Sequence, residues 1–339
     1  MSVLDENELA ARLGLQSAAH VLAAADDQMR AGHLYGARAY PTGFRPLDTH
    51  LSGGIRQGEL VVLAGTQGIG KTTFALQVAR NIAASGGHAL YVSFEHDAAN
   101  MLERLIVLEA GLADPHSDLT VGEVRRVLDA HHGGPGVGLA ERLAGLGGSE
   151  AALANLSAYA DRIHLLSARG DVTTLDHVRA AVDSLGDARP VVVLDYLQKV
   201  AVDADMEDHQ RISRVATGAK DLALDAGVPV LAVAAVDQAG MDVQRARARH
   251  LRGASTLAYE ADVILLLTNK YDVVARHHLV YDTVRADRFR NWAVCTVEKN
   301  RNGEDNLELE FRTRFSQSRF DPDGGVVAEQ LLDDRVHLD

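Results

Sequence analysis

The sequence predicts an α/β protein with a mainly parallel, doubly wound sheet. Three observations support this fold class: apolar segments alternate with helix-forming segments, several apolar segments contain no polar residue, and a glycine-rich loop joins one of them to a helix. Parallel strands are covered on both faces and must therefore be apolar throughout. The last predicted strands alternate in polarity, which favours an antiparallel hairpin at the sheet edge.

The predicted elements begin after residue 43. The predicted strands are 60–64, 89–94, 162–166, 191–195, 228–236, 263–268, 292–299 and 307–311, and the predicted helices are 72–84, 97–110, 120–130, 150–161, 174–185 and 210–226. Residues 131–148 contain seven glycines and predict a flexible insertion around a short helix.

Three regions are expected along the chain. Residues 1–40 predict a helical linker or docking segment, since apolar residues recur at helical spacing and Asp5 can cap the first helix. Residues 8–15 also have the character of the start of a DNA-reading helix-turn-helix, although a complete three-helix unit does not fit before residue 40. Residues 41–325 form the predicted main domain, and 326–339 a tail.

Composition indicates a globular protein and predicts a cytoplasmic location. The 339 residues are 47% hydrophobic and 24% charged, no apolar run reaches the length of a membrane span, and no secretory signal is visible. Cys295 is the single cysteine, so no intrachain disulfide or cysteine-based zinc site can form. The net charge of −13 argues against nucleic-acid binding over the whole surface but permits a local basic groove.

A complete phosphate-binding motif follows the first predicted strand. Its pattern, G-x-x-x-x-G-K-T, stands between an apolar strand and a helix, where loop amides and the helix N-terminus bind phosphate. Lys71 is expected to reach the β- and γ-phosphates of ATP, and the Thr72 hydroxyl to ligate Mg²⁺. The residues expected to contact the nucleotide are Gly65, Thr66, Gln67, Gly68, Ile69, Gly70, Lys71, Thr72 and Thr73.

Two acids end neighbouring apolar strands. Asp195 follows four apolar residues, and a carboxylate there needs a cation, which makes it a candidate ligand of Mg²⁺. Glu95 ends the second strand, where it can position and deprotonate the water that attacks the γ-phosphate. Taken alone, Glu95 is better explained as a surface acid that follows a strand.

Two basic segments are candidates for further contacts. Lys299 and Arg301 lie two residues apart before an Asn-Gly turn, so a hairpin tip can present both to a phosphate on a neighbouring subunit; a solvated hairpin is the other interpretation. The densest basic patch consists of Arg245, Arg247, Arg249 and Arg252. In a ring this patch would line a pore around single-stranded DNA, whereas in a monomer it would be a solvated loop.

These motifs together resemble the C-terminal motor domain of the DnaB-type replicative helicases, within the RecA-like ATPases. The resemblance runs from residue 42 to residue 321. It is carried by Gly70–Ala75, Phe94-Glu95, Asp195-Tyr196-Leu197-Gln198, Leu251-Arg252 with Glu260-Ala261-Asp262, and Lys299–Gly303. It implies a RecA-like core, ATP and Mg²⁺, a homo-oligomeric ring, most often a hexamer, single-stranded DNA in its pore, and a loader or replication initiator as partner.

The chain departs from that family in three places. Only about 40 residues precede the motor domain, too few for the family's primase-docking domain. Ala234-Ala235 replaces the usual Ser-Gln pair that senses the γ-phosphate. The segment after Asp195 carries four acids that would repel DNA, namely Asp203, Asp205, Glu207 and Asp208.

Two functions of different classes fit these features. The first is a DnaB-like ring ATPase that acts on single-stranded DNA in replication or repair. The second is a RecA-like ATPase, similar to the KaiC clock ATPases, that serves as a switch or scaffold without helicase activity. A RadA-like repair ATPase is a third reading, although the cysteine zinc finger and protease-like domain of that family have no counterpart here. The ATPase rate with and without single-stranded DNA separates the first two.

Overall fold

The computed structural model describes residues 15–32, 38–129, 136–202, 206–274 and 287–332. The chain divides into two compact units, Met1–Arg38 and Ala39–Asp339. In the first, helix α1 (Ala18–Arg30) begins after Ser17, whose hydroxyl accepts a hydrogen bond from the His20 amide. The predicted cap Asp5 lies outside the described residues.

The second unit is built from alternating strands and helices. Its strands are β1 (Ala39–Tyr40), β2 (Ile55–Arg56), β3 (Leu60–Gly65), β4 (Ala89–Ser93), β5 (Ile163–Ser167), β6 (Val191–Asp195), β7 (Val230–Ala235), β8 (Val263–Asn269), β9 (Trp292–Asn300), β10 (Leu307–Arg314), β11 (Arg319–Phe320) and β12 (Gly325–Val326). Its helices are α2 (Arg45–His50), α3 (Lys71–Ala84), α4 (Ala98–Ala113), α5 (Val121–Asp129), α6 (Leu139–Leu143), α7 (Ser149–Ser157), α8 (Leu175–Ser184), α9 (Asp208–Ala226), α10 (Gln238–Asp242), α11 (Ala254–Glu260) and α12 (Lys270–Val273).

One large sheet organises this unit. Its strand order is β11-β10-β9-β8-β3-β7-β6-β4-β5, with β12 added to β10. The six adjacent strands β8, β3, β7, β6, β4 and β5 are all parallel to one another. The pairings that involve β9, β10, β11 and β12 are antiparallel. The predicted mainly parallel sheet with an antiparallel edge hairpin is therefore confirmed.

Helices cover both faces of the sheet, which explains the wholly apolar strands. In β3, Val61 and Leu63 face a cluster that contains residues of helices α3 to α7. Leu60, Val62 and Ala64 face a second cluster with α8, α9 and α11. Each strand side chain is thus removed from water on one face or the other.

The glycine-rich segment and the region near the C-terminus both contain regular secondary structure. The glycine-rich segment contains α6, while residues 130–135 lie outside the described part. Toward the C-terminus, β12 extends the sheet edge, and the Leu332 amide donates to the Val273 carbonyl. Among the described residues, no helix has the length and apolar character needed to cross a membrane.

Candidate active site

The glycine-rich loop connects the end of β3 to the start of α3. Gly70 caps α3 with a left-handed φ of 92°, and a Cβ at this position would lie 2.5 Å from Cε1 of Phe315. A Cβ at Gly65 would lie 2.4 Å from the carbonyl oxygen of Leu267 on the adjacent strand. Both positions therefore need glycine, one for its backbone conformation and both for close packing.

Lys71 is anchored within this loop. Its Nζ donates hydrogen bonds to the carbonyl oxygens of Gly65 (2.9 Å) and Thr66 (2.8 Å). Burial lowers the pKa of Lys71, and the negative charges of Asp195 and Glu95 partly oppose this effect. The ammonium group is therefore held above the loop and faces both predicted acids.

Asp195 ends β6 and is almost fully buried, with 1% of its surface exposed. The Tyr91 hydroxyl donates to its Oδ2 at 2.7 Å, and the Thr72 hydroxyl lies close enough to the carboxylate to stabilise its negative charge. Burial raises the pKa of Asp195, and the hydroxyl groups of Tyr91 and Thr72 partly oppose this effect. Within the described residues, no Lys or Arg forms an ion pair with Asp195.

The donor set at this point fits Mg²⁺. Magnesium prefers hard oxygen ligands and is commonly held by one or two protein groups together with substrate phosphates. Thr72 and Asp195 supply a hydroxyl and a buried carboxylate beside the glycine-rich loop. A divalent cation would also balance the otherwise unpaired charge of Asp195.

Glu95 lies just beyond β4 and is exposed. The amide of the preceding Phe94 donates to the Asp195 carbonyl at 2.8 Å, which ties this segment to the end of β6. The charge of Glu95 also acts on Lys71. The structure therefore brings together Lys71, Thr72, Asp195 and Glu95 at the carboxyl edge of the parallel strands.

Lys299 and Arg301 lie at the opposite edge. Lys299 Nζ donates to the carbonyls of Ala258 (2.7 Å) and Ala261, and Arg301 contacts the Tyr259 carbonyl (2.8 Å) and Asp262 Oδ1 (3.0 Å). Asp262 in turn accepts from the amide of Leu60, the first residue of β3. The strand from Leu60 to Gly65 rises about 3.3 Å per residue, so this point lies roughly 17 Å from the start of the glycine-rich loop.

The four arginines of the basic segment do not form one exposed patch, and this corrects the sequence interpretation. Arg245 is 4% exposed and forms an ion pair with Glu308; Arg247 is 7% exposed and binds Glu298 at 2.7 Å. The physical reason is that β9 and β10 carry acids beneath this loop, which sequence spacing alone does not reveal. Arg249 and Arg252 are exposed.

Arg252 connects the arginine loop to the acidic segment that follows Asp195. Its guanidinium binds Asp208 at 2.7 Å in an exposed ion pair. Its backbone amide donates to the Ala235 carbonyl, and its carbonyl is 3.5 Å from Gln198 Nε2. Gln198 Oε1 also accepts from the Ala235 amide at 3.3 Å. Gln198 thus links the segment after Asp195 to the arginine loop.

Two further side chains at this site were missed by sequence reasoning. Tyr91 reads as one more apolar strand residue, and only the strand register places its hydroxyl against Asp195. Phe315 is 45% exposed and packs against Gly70, although some 245 residues separate the two in sequence. For Tyr91, the one available signal was a phenol hydroxyl among apolar strand residues; for Phe315, the sequence contained no signal.

This combination of sheet order, glycine-rich loop, lysine and strand-end acids defines a RecA-like P-loop ATPase domain. Residues 36–241 match the model of a protein family described as "AAA domain". The match spans more than half of the chain, and the protein belongs to this family.

Known proteins with similar sequences include replicative DNA helicases and DNA repair proteins. The replicative DNA helicase DnaB of Geobacillus stearothermophilus is 23% identical over 289 residues, covering 83% of this chain and 59% of the helicase. The DNA repair protein RadA of Mycolicibacterium smegmatis is 47% identical over 64 residues, covering 19% of this chain and 14% of RadA. The chain thus spans about three fifths of the DnaB relative and a small part of RadA.

The fold has a solved counterpart in a DnaB-like replicative helicase whose structure was described together with its interactions with primase. That helicase superposes with a TM-score of 0.67 at 19% identity, over 90% of this chain and 66% of the helicase chain. This likeness concerns the fold. Together with the sequence similarity to DnaB, it confirms the predicted resemblance to the RecA-like motor domain of the DnaB-type helicases.

Proposed function

We propose that the protein is a ring-forming ATPase that hydrolyses ATP at the interfaces between its subunits and binds single-stranded DNA. The observation that carries this proposal is the separation of the two predicted halves of the site. Lys71 lies at the carboxyl edge of β3, whereas Arg301 is tied to its amino edge through Asp262. An arginine side chain is far shorter than the strand, so Arg301 can serve only the nucleotide of another subunit.

The residues at the carboxyl edge have separate roles in this proposal. Lys71 neutralises negative charge on the β- and γ-phosphates, and Thr72 and Asp195 hold Mg²⁺. When bound, Mg²⁺ withdraws charge from the phosphate oxygens. Glu95 is exposed beside them, and in this proposal it orients and deprotonates the attacking water.

Phe315 adds a surface for the nucleotide base. Its ring is partly exposed and lies next to Gly70, where the loop turns into α3. Phe320 supports it in an edge-to-face contact at 5.5 Å. An aromatic ring fixed beside a phosphate-binding loop offers a stacking platform to a purine.

The DNA contact is assigned to Arg249 and Arg252. Both are exposed, and the backbone of Arg252 contacts Gln198 in the segment that follows Asp195. Asp208 competes with DNA for Arg252, but an exposed ion pair contributes at most about 1 kcal/mol and yields to a polyanion. Asp203 and Asp205 lie outside the described residues.

A nucleotide-dependent switch or scaffold is the second candidate function. Two of the four arginines are buried in ion pairs, and a third is paired with Asp208, which reduces the basic surface offered to DNA. Ala235 also stands where a γ-phosphate-sensing glutamine is expected. A protein of this kind would hydrolyse ATP without responding to DNA.

Two measurements on the protein separate these functions. Labelled single-stranded oligonucleotides are expected to bind the ATP-loaded protein, with affinity falling steeply between low and physiological salt, as counterion release requires. The ATPase rate should rise only weakly with DNA, because the sensor glutamine is replaced. Lys71→Ala should abolish nucleotide binding and serves as the control. Absence of DNA binding at low salt with ATP present would leave the switch as the better account.

A further inference from the structure

Tyr91 lies in the middle of β4, directly beside the Asp195 carboxylate. The strands β4 and β6 are parallel neighbours, with Tyr91 opposite Val193 and Ser93 opposite Asp195. Since alternate residues of a strand share one face of a sheet, Tyr91 and Asp195 are diagonal neighbours on the same face. The hydrogen bond of 2.7 Å from the Tyr91 hydroxyl to Asp195 Oδ2 follows from this register.

Packing alone does not account for a tyrosine at this position. Tyr91 is fully buried in the same apolar cluster as Phe74, Val191 and Val193. A phenol hydroxyl in such surroundings costs free energy unless it is hydrogen-bonded, and phenylalanine would fill almost the same volume without that cost. Within the described residues, Asp195 is the hydrogen-bond partner of this hydroxyl. The advantage of tyrosine over phenylalanine therefore lies in its bond to Asp195.

The two hydroxyl groups beside the Asp195 carboxylate come from different parts of the fold. Thr72 belongs to the first turn of α3, in the segment that closes around phosphate, whereas Tyr91 stands on a central strand of the sheet. A carboxylate held from the sheet keeps its orientation when the loop changes its contacts. Groups that fix a metal-binding carboxylate in this way commonly determine metal affinity.

We propose that Tyr91 is a positioning residue that orients the Asp195 carboxylate for Mg²⁺ during nucleotide binding. The hydroxyl fixes Oδ2 and prevents the carboxylate from rotating away from Thr72 and the glycine-rich loop. This inference rests on the proposed function, because it needs a magnesium–nucleotide complex at that loop. Tyr91 acts through Asp195 and is separate from the residues that touch phosphate.

The test compares nucleotide binding by the parent protein and Tyr91→Phe. A fluorescent, non-hydrolysable ATP analogue is titrated across a range of Mg²⁺ concentrations and in EDTA. The variant should need about 10- to 100-fold more Mg²⁺ for half-maximal tightening of nucleotide binding. Its affinity for the analogue in EDTA should equal that of the parent, because Lys71 and the loop are unchanged.

Tyr159→Phe is the matched control. Tyr159 is 2% exposed, and its hydroxyl donates to the buried carboxylate of Glu109 at 2.7 Å, which is the same kind of bond in a different place. Both variants should lose a comparable amount of thermal stability, measured by circular dichroism. Tyr159→Phe should keep the Mg²⁺ requirement of the parent. Replacing Tyr91 with 4-aminophenylalanine, which retains a donor, should restore the Mg²⁺ requirement of the parent and serves if Tyr91→Phe does not fold.

The results that would contradict the positioning role of Tyr91 differ from the result that would contradict the proposed function. If Tyr91→Phe keeps the Mg²⁺ requirement of the parent, or weakens binding equally with Mg²⁺ and in EDTA, Tyr91 does not position Asp195. The same conclusion follows if Tyr159→Phe raises the Mg²⁺ requirement as strongly. A parent protein that binds no nucleotide under any condition would instead overturn the proposed function itself.

Discussion

At the residue scale, the candidate active site brings Lys71, Thr72 and Asp195 together at the carboxyl edge of the parallel strands. Lys71 and Thr72 stand in a contiguous motif between a strand and a helix, and Asp195 ends an apolar strand. Their positions relative to one another follow from the rule that ligands bind at the carboxyl edge of parallel strands. The contacts of Tyr91 and Phe315 could not be predicted, because they depend on strand register and on a segment distant in sequence.

Glu95 is expected to act as the base that activates the attacking water. Glu95→Gln should bind ATP as tightly as the parent but hydrolyse it at least about 100-fold more slowly, since the amide cannot accept a proton from the attacking water. Isothermal titration calorimetry and a phosphate-release assay measure the two quantities. Glu150→Gln, an exposed residue in the first turn of α7, is the control and should be active. Parent-level hydrolysis by Glu95→Gln would show that another group orients the water.

At the element scale, the alternation of strands and helices was predictable because the period of apolar residues is local. The exposure of the arginines in the basic loop between β7 and β8 was not predictable, because it depends on acidic residues of β9 and β10 that are distant in sequence. Glu298 on β9 and Glu308 on β10 draw Arg247 and Arg245 into the protein, whereas Arg249 and Arg252 are exposed. Four arginines that look equivalent in sequence therefore divide into two buried and two exposed ones.

The burial of Arg247 and the exposure of Arg249 predict very different effects on stability when each is replaced by alanine. Arg247→Ala should destabilise the fold by about 3–5 kcal/mol, because it leaves the buried Glu298 carboxylate unpaired. Arg249→Ala should change stability by less than about 0.5 kcal/mol, since the side chain is exposed. Arg249→Ala should also weaken single-stranded DNA binding. Urea denaturation and fluorescence anisotropy measure these effects, and equal destabilisation by both changes would contradict the assignment.

At the scale of the whole molecule, the fold separates the phosphate loop from the basic hairpin by the length of β3. Sequence showed both motifs but not their distance, because that depends on the antiparallel return of β9 along β8. Asn300 pairs with Val263 at the start of β8, which places Lys299 and Arg301 at the edge opposite the glycine-rich loop. A complete catalytic site therefore requires at least two copies of the chain under the proposed function.

Mixing two inactive variants tests this central claim most directly. Arg301→Ala keeps an intact phosphate loop, and Lys71→Ala keeps an intact hairpin; the Arg301 side chain is 47% exposed, so its loss should leave the fold intact. Each variant alone should be inactive. At a 1:1 ratio in a ring, about one interface in four joins an intact loop to an intact hairpin, so about a quarter of the parent ATPase rate should return. Native mass spectrometry with a non-hydrolysable ATP analogue establishes that mixed rings form. No recovery at any ratio, with mixed rings present, would contradict hydrolysis at subunit interfaces.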